Sequence, residues 1–137
     1  MIKTLQSKEQ IESARAELIR RKISALDSPL CALMRKIGIV RRVAVGDVIK
    51  SWDLLSTVTF LEQHLKKNEP ILDIGCFASE ILVSLHQLGY SNLTGVDLNP
   101  ALPRMPHSDA IRYEVSDFMQ TPFKDGSFRA ITAISVI

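Results

Sequence analysis

The sequence predicts an α/β domain built on a parallel sheet. After Pro70, short apolar strands alternate with a helix or with long connections, which is the pattern of strand–crossover–strand units. Hydrophobic residues make up 46% of the 137 residues and charged residues 23%, which is typical of one folded domain. The segment before this alternating pattern is basic and predicts helices.

The first 50 residues predict a basic helical cap or accessory segment. A long helix is expected from Ser7 to Leu26 because apolar residues recur there at helical spacing. They are Ile11, Leu18, Ile19, Ile23 and Leu26. A second, short helix is expected from Leu30 to Ile37, with Gly38 ending it. Residues 39–50 fit either a small strand pair or a loop.

The charge of the chain is unevenly distributed. Residues 1–50 hold 11 Lys and Arg against 5 Asp and Glu, whereas residues 51–137 hold 6 against 10. Such a basic segment either faces nucleic acid or is a solvated helix that docks on an acidic neighbour. Its basic residues are not interleaved with aromatic residues suited to base stacking, so the second interpretation is favoured and no nucleic-acid partner is expected.

Residues 51–137 contain the remaining predicted elements. A helix with Ser51 as its N-cap is expected to reach Lys67, and another to run from Ser79 to Leu88 before the cap residue Gly89. Four strands are predicted, at 71–74, 93–96, 111–115 and 130–136. Three prolines in residues 99–110 predict an irregular loop in place of a crossover helix.

Several classes of protein are disfavoured by the sequence. Two distant cysteines and no expected secretory signal indicate a reduced, cytoplasmic setting. The apolar runs are far shorter than the roughly 20 residues that a membrane-spanning helix needs. The three histidines share no metal-ligand spacing with one another or with the cysteines, so no metal site is expected. Trp52 is expected to be a core anchor.

Three carboxylates fall at or near the carboxyl ends of predicted strands, where open parallel sheets bind ligands. Asp73 ends strand one, Asp97 follows strand two, and Asp117 follows strand three. Asp97 lies 22 residues beyond Gly75, a spacing suited to an acid that accepts hydrogen bonds from two ribose hydroxyls. Asp117 could accept from an adenine amino group while Phe118 faces the base. The alternative is that both acids only form turns.

The loop after strand one, in "PILDIGCFASE" (residues 70–80), has one glycine. Gly75 permits a close backbone approach, but Phe77 and Ser79 stand where dinucleotide-binding loops repeat their glycines. Those repeated glycines make room for a pyrophosphate. The loop therefore disfavours NAD, and with it an oxidoreductase, more than it disfavours a nucleoside cofactor without pyrophosphate.

Three stretches resemble successive motifs of class I S-adenosylmethionine-dependent methyltransferases, particularly the type 11 small-molecule group. They are "ILDIGC", "LTGVDLNP" and "YEVSDFMQTPFKDGSFRAITAISVI", and the resemblance covers residues 70–137. It implies a Rossmann-like sheet and S-adenosyl-L-methionine as cofactor. The family's sheet continues past a fourth strand, so we expect this chain either to be a fragment or to receive the missing half from another chain in an oligomer.

The resemblance also implies roles for individual residues. Asp73 and Gly75 would hold the methionine part of the cofactor, within the loop that contains Cys76 and Phe77. Asp97 would bind the ribose hydroxyls, and Leu98 would lie against the adenine. Asp117 would meet the adenine amino group and Phe118 its ring. Ser135 and Val136, at the end of strand four, would face the side where the acceptor enters.

Residues 51–137 are thus expected to be the cofactor-binding half of a methyltransferase domain. We expect methyl transfer to a small molecule, with the catalytic residues unassigned. The alternative is a non-catalytic module that keeps a degenerate methyltransferase fold and binds a nucleoside or a partner.

Overall fold

The computed structural model describes residues 4–134. The chain forms four helices and four strands in this part, in the order α1 (Lys8–Arg20), α2 (Pro29–Lys36), α3 (Ser51–His64), β1 (Ile71–Ile74), α4 (Ile81–Gln87), β2 (Leu93–Asp97), β3 (Arg112–Val115) and β4 (Ala130–Thr132). Short 3₁₀ turns lie at Val48–Lys50, Leu102–Arg104 and Phe118–Gln120.

The four strands form one parallel sheet in the order β3–β2–β1–β4. β1 lies at the centre and pairs with β2 on one side and β4 on the other. The strand order therefore reverses between β1 and β4, which is the switch point where open α/β sheets bind ligands. This arrangement confirms the predicted α/β, Rossmann-like parallel sheet.

One hydrophobic cluster joins the N-terminal segment to the sheet. It contains Leu18, Ile23 and Val45 from the first 50 residues together with Ile71 of β1 and Leu85 of α4. β1 and β2 are buried over all but their last residue, as is typical of parallel strands that are covered on both faces. The helices thus fix the position of the strand ends, where the candidate site lies.

The prediction of a first helix reaching Leu26 is wrong. The helix ends at Arg20 because Lys22 takes a left-handed conformation with φ of 58°. The amide of Lys22 donates to Ile19 O and that of Ile23 to Leu18 O, both at 3.0 Å, which is a Schellman ending. Ile19, expected on the apolar stripe, is 59% exposed.

The prediction that Ser51 is the N-cap of α3 is wrong, because Lys50 precedes the helix and Ser51 is its first residue. The Ser51 hydroxyl is buried and donates to Val48 O, so it closes the preceding 3₁₀ turn. The helix ends at His64, three residues earlier than expected. The second helix is confirmed, with Ser28 as its cap, and residues 39–50 form a loop followed by a 3₁₀ turn.

β4 is shorter than the predicted strand at 130–136. Its ladder with β1 covers only three pairs, the last joining Asp73 to Thr132, because β1 turns away at Gly75. Ser135 and Val136, which the sequence placed at the acceptor side, lie outside the described residues. The proline-rich loop at 99–110 is confirmed, with one 3₁₀ turn within it.

Within residues 4–134, no helix is both long and apolar enough to cross a membrane. The same residues contain no group of three or more His, Cys, Asp or Glu side chains arranged to hold a metal ion.

Candidate functional site

The loop between β1 and α4 folds over the end of β2. Gly75 has φ of 70°, and its amide donates to Val96 O at 2.9 Å. Such a positive φ strongly favours glycine. Three residues later, Ala78 also has a positive φ, of 58°. The chain therefore turns sharply twice within the motif in which Gly75 is the only glycine.

Asp97 ties this loop to the end of β2. Its Oδ2 accepts from the amide of Phe77 at 3.0 Å, and its Oδ1 accepts from the amide of Asn99 at 2.9 Å. Asp97 is half-buried, and a carboxylate oxygen has acceptor capacity for more than one donor. The side chain thus forms the turn that sequence reasoning gave as an alternative, and it keeps capacity for hydroxyl donors.

Asp73 is a buried acid at the centre of the sheet, with 1% of its surface exposed. Its Oδ1 accepts from Thr132 Oγ1 at 2.7 Å, which links β1 to β4. Its Oδ2 is buried and finds no hydrogen-bond donor among residues 4–134. Burial raises the pKa of Asp73 to about 7, against the opposing effects of the Thr132 and Ser79 hydroxyls.

The side chain of Cys76 points into the core and away from the strand ends. It is fully buried, and a Cβ added at Gly95 would lie 2.5 Å from its sulfur. Gly95 of β2 therefore makes room for the thiol, and burial raises the pKa of the Cys76 thiol. This packing leaves only the backbone of Cys76 near the candidate site.

The residues after β2 and β3 lie side by side at the same edge of the sheet. The amide of Ser116 donates to Asp97 O at 3.0 Å, which brings the two strand ends together. Asp117 is half-buried and its Oδ1 caps the following 3₁₀ turn by accepting from Met119 N at 2.9 Å. Leu98 and Phe118 are exposed apolar side chains at this edge.

A cavity of about 190 Å³ lies beside the Gly75 loop. The loop forms one wall through residues 75 and 77–81, with Leu54 and Ile134 adding apolar surface. The other wall comes from the N-terminal segment, as Gly46, Asp47 and Lys50. The sequence did not predict this wall; the Gly-Asp pair at 46–47 was its only visible sign of a turn near the cavity. Trp52 is half-buried and lines a different groove, between α3 and β4.

Comparison with known proteins agrees with this geometry. Residues 71–137 match the family described as methyltransferase domain. The chain is 30% identical over 92 residues to an eEF1A lysine and N-terminal methyltransferase of Danio rerio, an alignment that covers 61% of this chain and 13% of that protein. No solved structure matches the chain. Residues 71–137 thus match a methyltransferase domain in sequence, and the described part of that segment forms a Rossmann-like parallel sheet.

Proposed function

We propose that the chain binds S-adenosyl-L-methionine across the ends of β1 and β2 and takes part in methyl transfer. The observation that carries this proposal is the hydrogen bond from the Phe77 amide, in the Gly75 loop, to the carboxylate of Asp97 at the switch point of the sheet. That hydrogen bond places an acid at the end of β2, beside a loop whose backbone a ligand can approach closely. This arrangement suits a nucleoside lying across the strand ends.

The residues present fit this cofactor in chemistry and in size. The cavity of about 190 Å³ is smaller than the roughly 300–1,000 Å³ of pockets that enclose drug-sized ligands. It therefore suits the amino-acid end of the cofactor, while the nucleoside would lie on the open edge at Asp97 and Asp117. Lys50 lines the cavity and offers a cation for a carboxylate.

Asp73 is proposed to meet the methionine part of the cofactor, as the resemblance implies. Its side chain does not line the cavity, but Gly75, two residues further along the chain, does, and its buried Oδ2 has no hydrogen-bond donor among the described residues. When bound, the cofactor supplies an electrophilic methyl group on a sulfonium. The protein's part in such a reaction is mainly to hold the nucleophile in line with that methyl group.

The acceptor is open to two proposals. A small molecule is proposed from the resemblance of residues 70–137 to the type 11 group. The relative from Danio rerio carries in its name lysine and N-terminal methyl transfer on eEF1A, which favours a protein amine as the second candidate. The rest of the acceptor pocket would come from residues outside 4–134 or from another chain. Methyl transfer from labelled cofactor to each class separates the two.

Binding of S-adenosylhomocysteine to an Asp97→Ala variant tests the proposed site. We expect the affinity to fall at least about tenfold, because charge-assisted hydrogen bonds worth about 1.5 to 3 kcal/mol are removed. Isothermal calorimetry measures the change, at a temperature where circular dichroism shows each variant folded.

Glu114→Ala is the matched control for Asp97→Ala. Glu114 is a half-buried acid on the neighbouring strand whose side chain pairs with Arg112, so its removal should leave the affinity unchanged. If a folded Asp97→Ala variant binds S-adenosylhomocysteine as tightly as the unmodified chain does, Asp97 is not part of the site. A folded, unmodified chain that binds no cofactor would favour an interaction module instead.

A further inference from the structure

A buried ion pair joins α1 to the residue that precedes α4. The guanidinium of Arg15 donates to both carboxylate oxygens of Glu80, at 2.8 and 2.9 Å. The two side chains are only 8% and 4% exposed. Arg15 also donates to the hydroxyls of Ser51 at 2.8 Å and Ser24 at 2.9 Å. This planar, two-pronged contact fixes orientation as well as distance.

The segment that follows α1 is attached to the same place. The amide of Ala25 donates to Glu80 Oε1 at 2.7 Å. Gly46 passes so close that an added Cβ would lie 2.6 Å from Glu80 Oε2. The amide of Gly46 donates to Ala78 O at 2.9 Å. The N-terminal segment therefore holds the loop at two of its residues, Ala78 and Glu80.

The loop depends on such outside contacts because of its own backbone. Ala78 adopts φ of 58°, a left-handed conformation that is strained for a residue with a side chain. Strained backbone persists only where the surrounding structure holds it. Gly46 and Met105 provide the hydrogen bonds to Ala78, the latter through its sulfur at 3.4 Å from the Ala78 amide.

A buried ion pair is a poor source of stability by itself. Its desolvation offsets much of its attraction, and apolar residues of similar volume often stabilise a protein as well. The Arg15–Glu80 pair does have a geometric consequence, because it fixes the last residue of the loop that turns at Gly75 and Ala78. Arg15 does not line the cavity. Glu80 does, and both of its carboxylate oxygens accept from Arg15.

We propose that Arg15 and Glu80 are positioning residues of the cofactor site. Their ion pair sets the conformation of residues 75–80. The N-terminal segment thus supplies a restraint that the loop's own sequence does not provide. The proposal rests on the proposed binding of S-adenosylmethionine by this loop. It gives the basic segment at 1–50 a role in cofactor affinity.

The test compares two ion pairs, one made by Arg15 of α1 and the other by Arg21, the residue that follows α1. The double variant Arg15→Met/Glu80→Met removes the proposed ion pair without leaving an unpaired buried charge. Arg21→Met/Glu62→Met is the control, since Arg21 pairs with Glu62 of α3 at 2.6 Å and the two side chains are 22% and 27% exposed. Arg15→Lys is a third variant, which keeps the charge but loses the two-pronged contact.

Calorimetry with S-adenosylhomocysteine gives the readout, at a temperature where circular dichroism shows every variant folded. We expect affinity to fall about tenfold or more in the Arg15/Glu80 variant and severalfold in Arg15→Lys, because small misplacements of a binding group are costly. The Arg21/Glu62 control should stay within about twofold of the unmodified chain, since distant sites act independently.

Each other outcome has a separate meaning. Affinity unchanged by Arg15→Lys, or by the double Met variant if it folds, would overturn the positioning role while leaving the proposed function intact. Equal weakening by both ion-pair variants would show a general structural effect and would also overturn it. Failure of the folded, unmodified chain to bind would contradict the proposed function and, with it, this inference.

Discussion

At the scale of single residues, Asp73 has the most unusual environment in the site. Its carboxyl group is buried between β1 and β4, bonded to Thr132 through one oxygen only. Burial raises its pKa from 3.8 to about 7. The folded chain therefore holds this proton more tightly than the unfolded chain does, and ionisation of Asp73 opposes folding.

This raised pKa predicts a pH dependence of stability with a definite sign. The contribution of Asp73 to the free energy of unfolding is full below about pH 4 and is lost as the pH rises through about 7. The loss is on the order of 2 to 4 kcal/mol, because one pKa unit corresponds to about 1.4 kcal/mol. Urea unfolding of the unmodified chain and of Asp73→Asn, measured across that range, gives the difference.

Asparagine keeps an acceptor for the Thr132 hydroxyl but does not titrate. The Asp73→Asn chain should therefore lack this part of the pH dependence. Parallel stability curves for the two chains across the range would show that Asp73 does not titrate as its burial requires.

At the scale of elements, α1 belongs to the core of the molecule. Leu18 is fully buried and joins the cluster that contains Val58 of α3 and Ile81 of α4, whereas its neighbour Ile19 is 59% exposed. Truncating a buried leucine leaves a cavity that the surroundings fill only in part. The two adjacent residues of one helix thus allow a paired test of whether the N-terminal segment packs as described.

We expect Leu18→Ala to lower the free energy of unfolding by about 2–5 kcal/mol. Ile19→Ala on the same helix should change it by less than about 0.5 kcal/mol, because exposed substitutions are nearly neutral. Chemical denaturation followed by circular dichroism measures both. Equal, small effects would mean that α1 does not pack against the sheet domain.

The ending of α1 shows where sequence reasoning about elements fails. The residue that takes the left-handed conformation at the end of the helix is Lys22, whereas the sequence signal for such an ending is glycine. The cost of the left-handed conformation at Lys22 is offset by the burial of Ile23 next to Leu18. That contact depends on the tertiary structure. Where glycine does stand at this position, as at Gly89 after α4, the helix end was placed within about a residue.

At the scale of the whole molecule, the parallel sheet and the placement of the acids at its edge could be predicted from the sequence. β1, β2 and β4 are short and largely apolar, and strands joined by crossovers run parallel, so Asp73, Asp97 and Asp117 had to reach the same edge. The contact of the N-terminal segment with the Gly75 loop could not be predicted. It depends on Arg15 and Glu80, which lie 65 residues apart and look like ordinary surface charges in the sequence.

Cys76 lies in the loop that the resemblance assigns to the cofactor, but a small packing residue was the favoured interpretation of its sequence, and the thiol is buried. The space that takes the thiol could not be predicted, because it lies above Gly95 on the neighbouring strand. Sequence motifs thus locate the strand ends of the molecule. The direction in which each side chain at those ends points is decided by packing between elements that are distant in the sequence.

Backbone amide chemical shifts during titration with S-adenosylhomocysteine test whether the edge formed by the ends of β1 and β2 binds the cofactor. We expect saturable changes that are largest at residues 75–80, 97–98 and 117–118, with NAD at the same concentrations causing none of them. A folded chain whose amide shifts do not change, or change only away from these strand ends, would contradict binding at this edge.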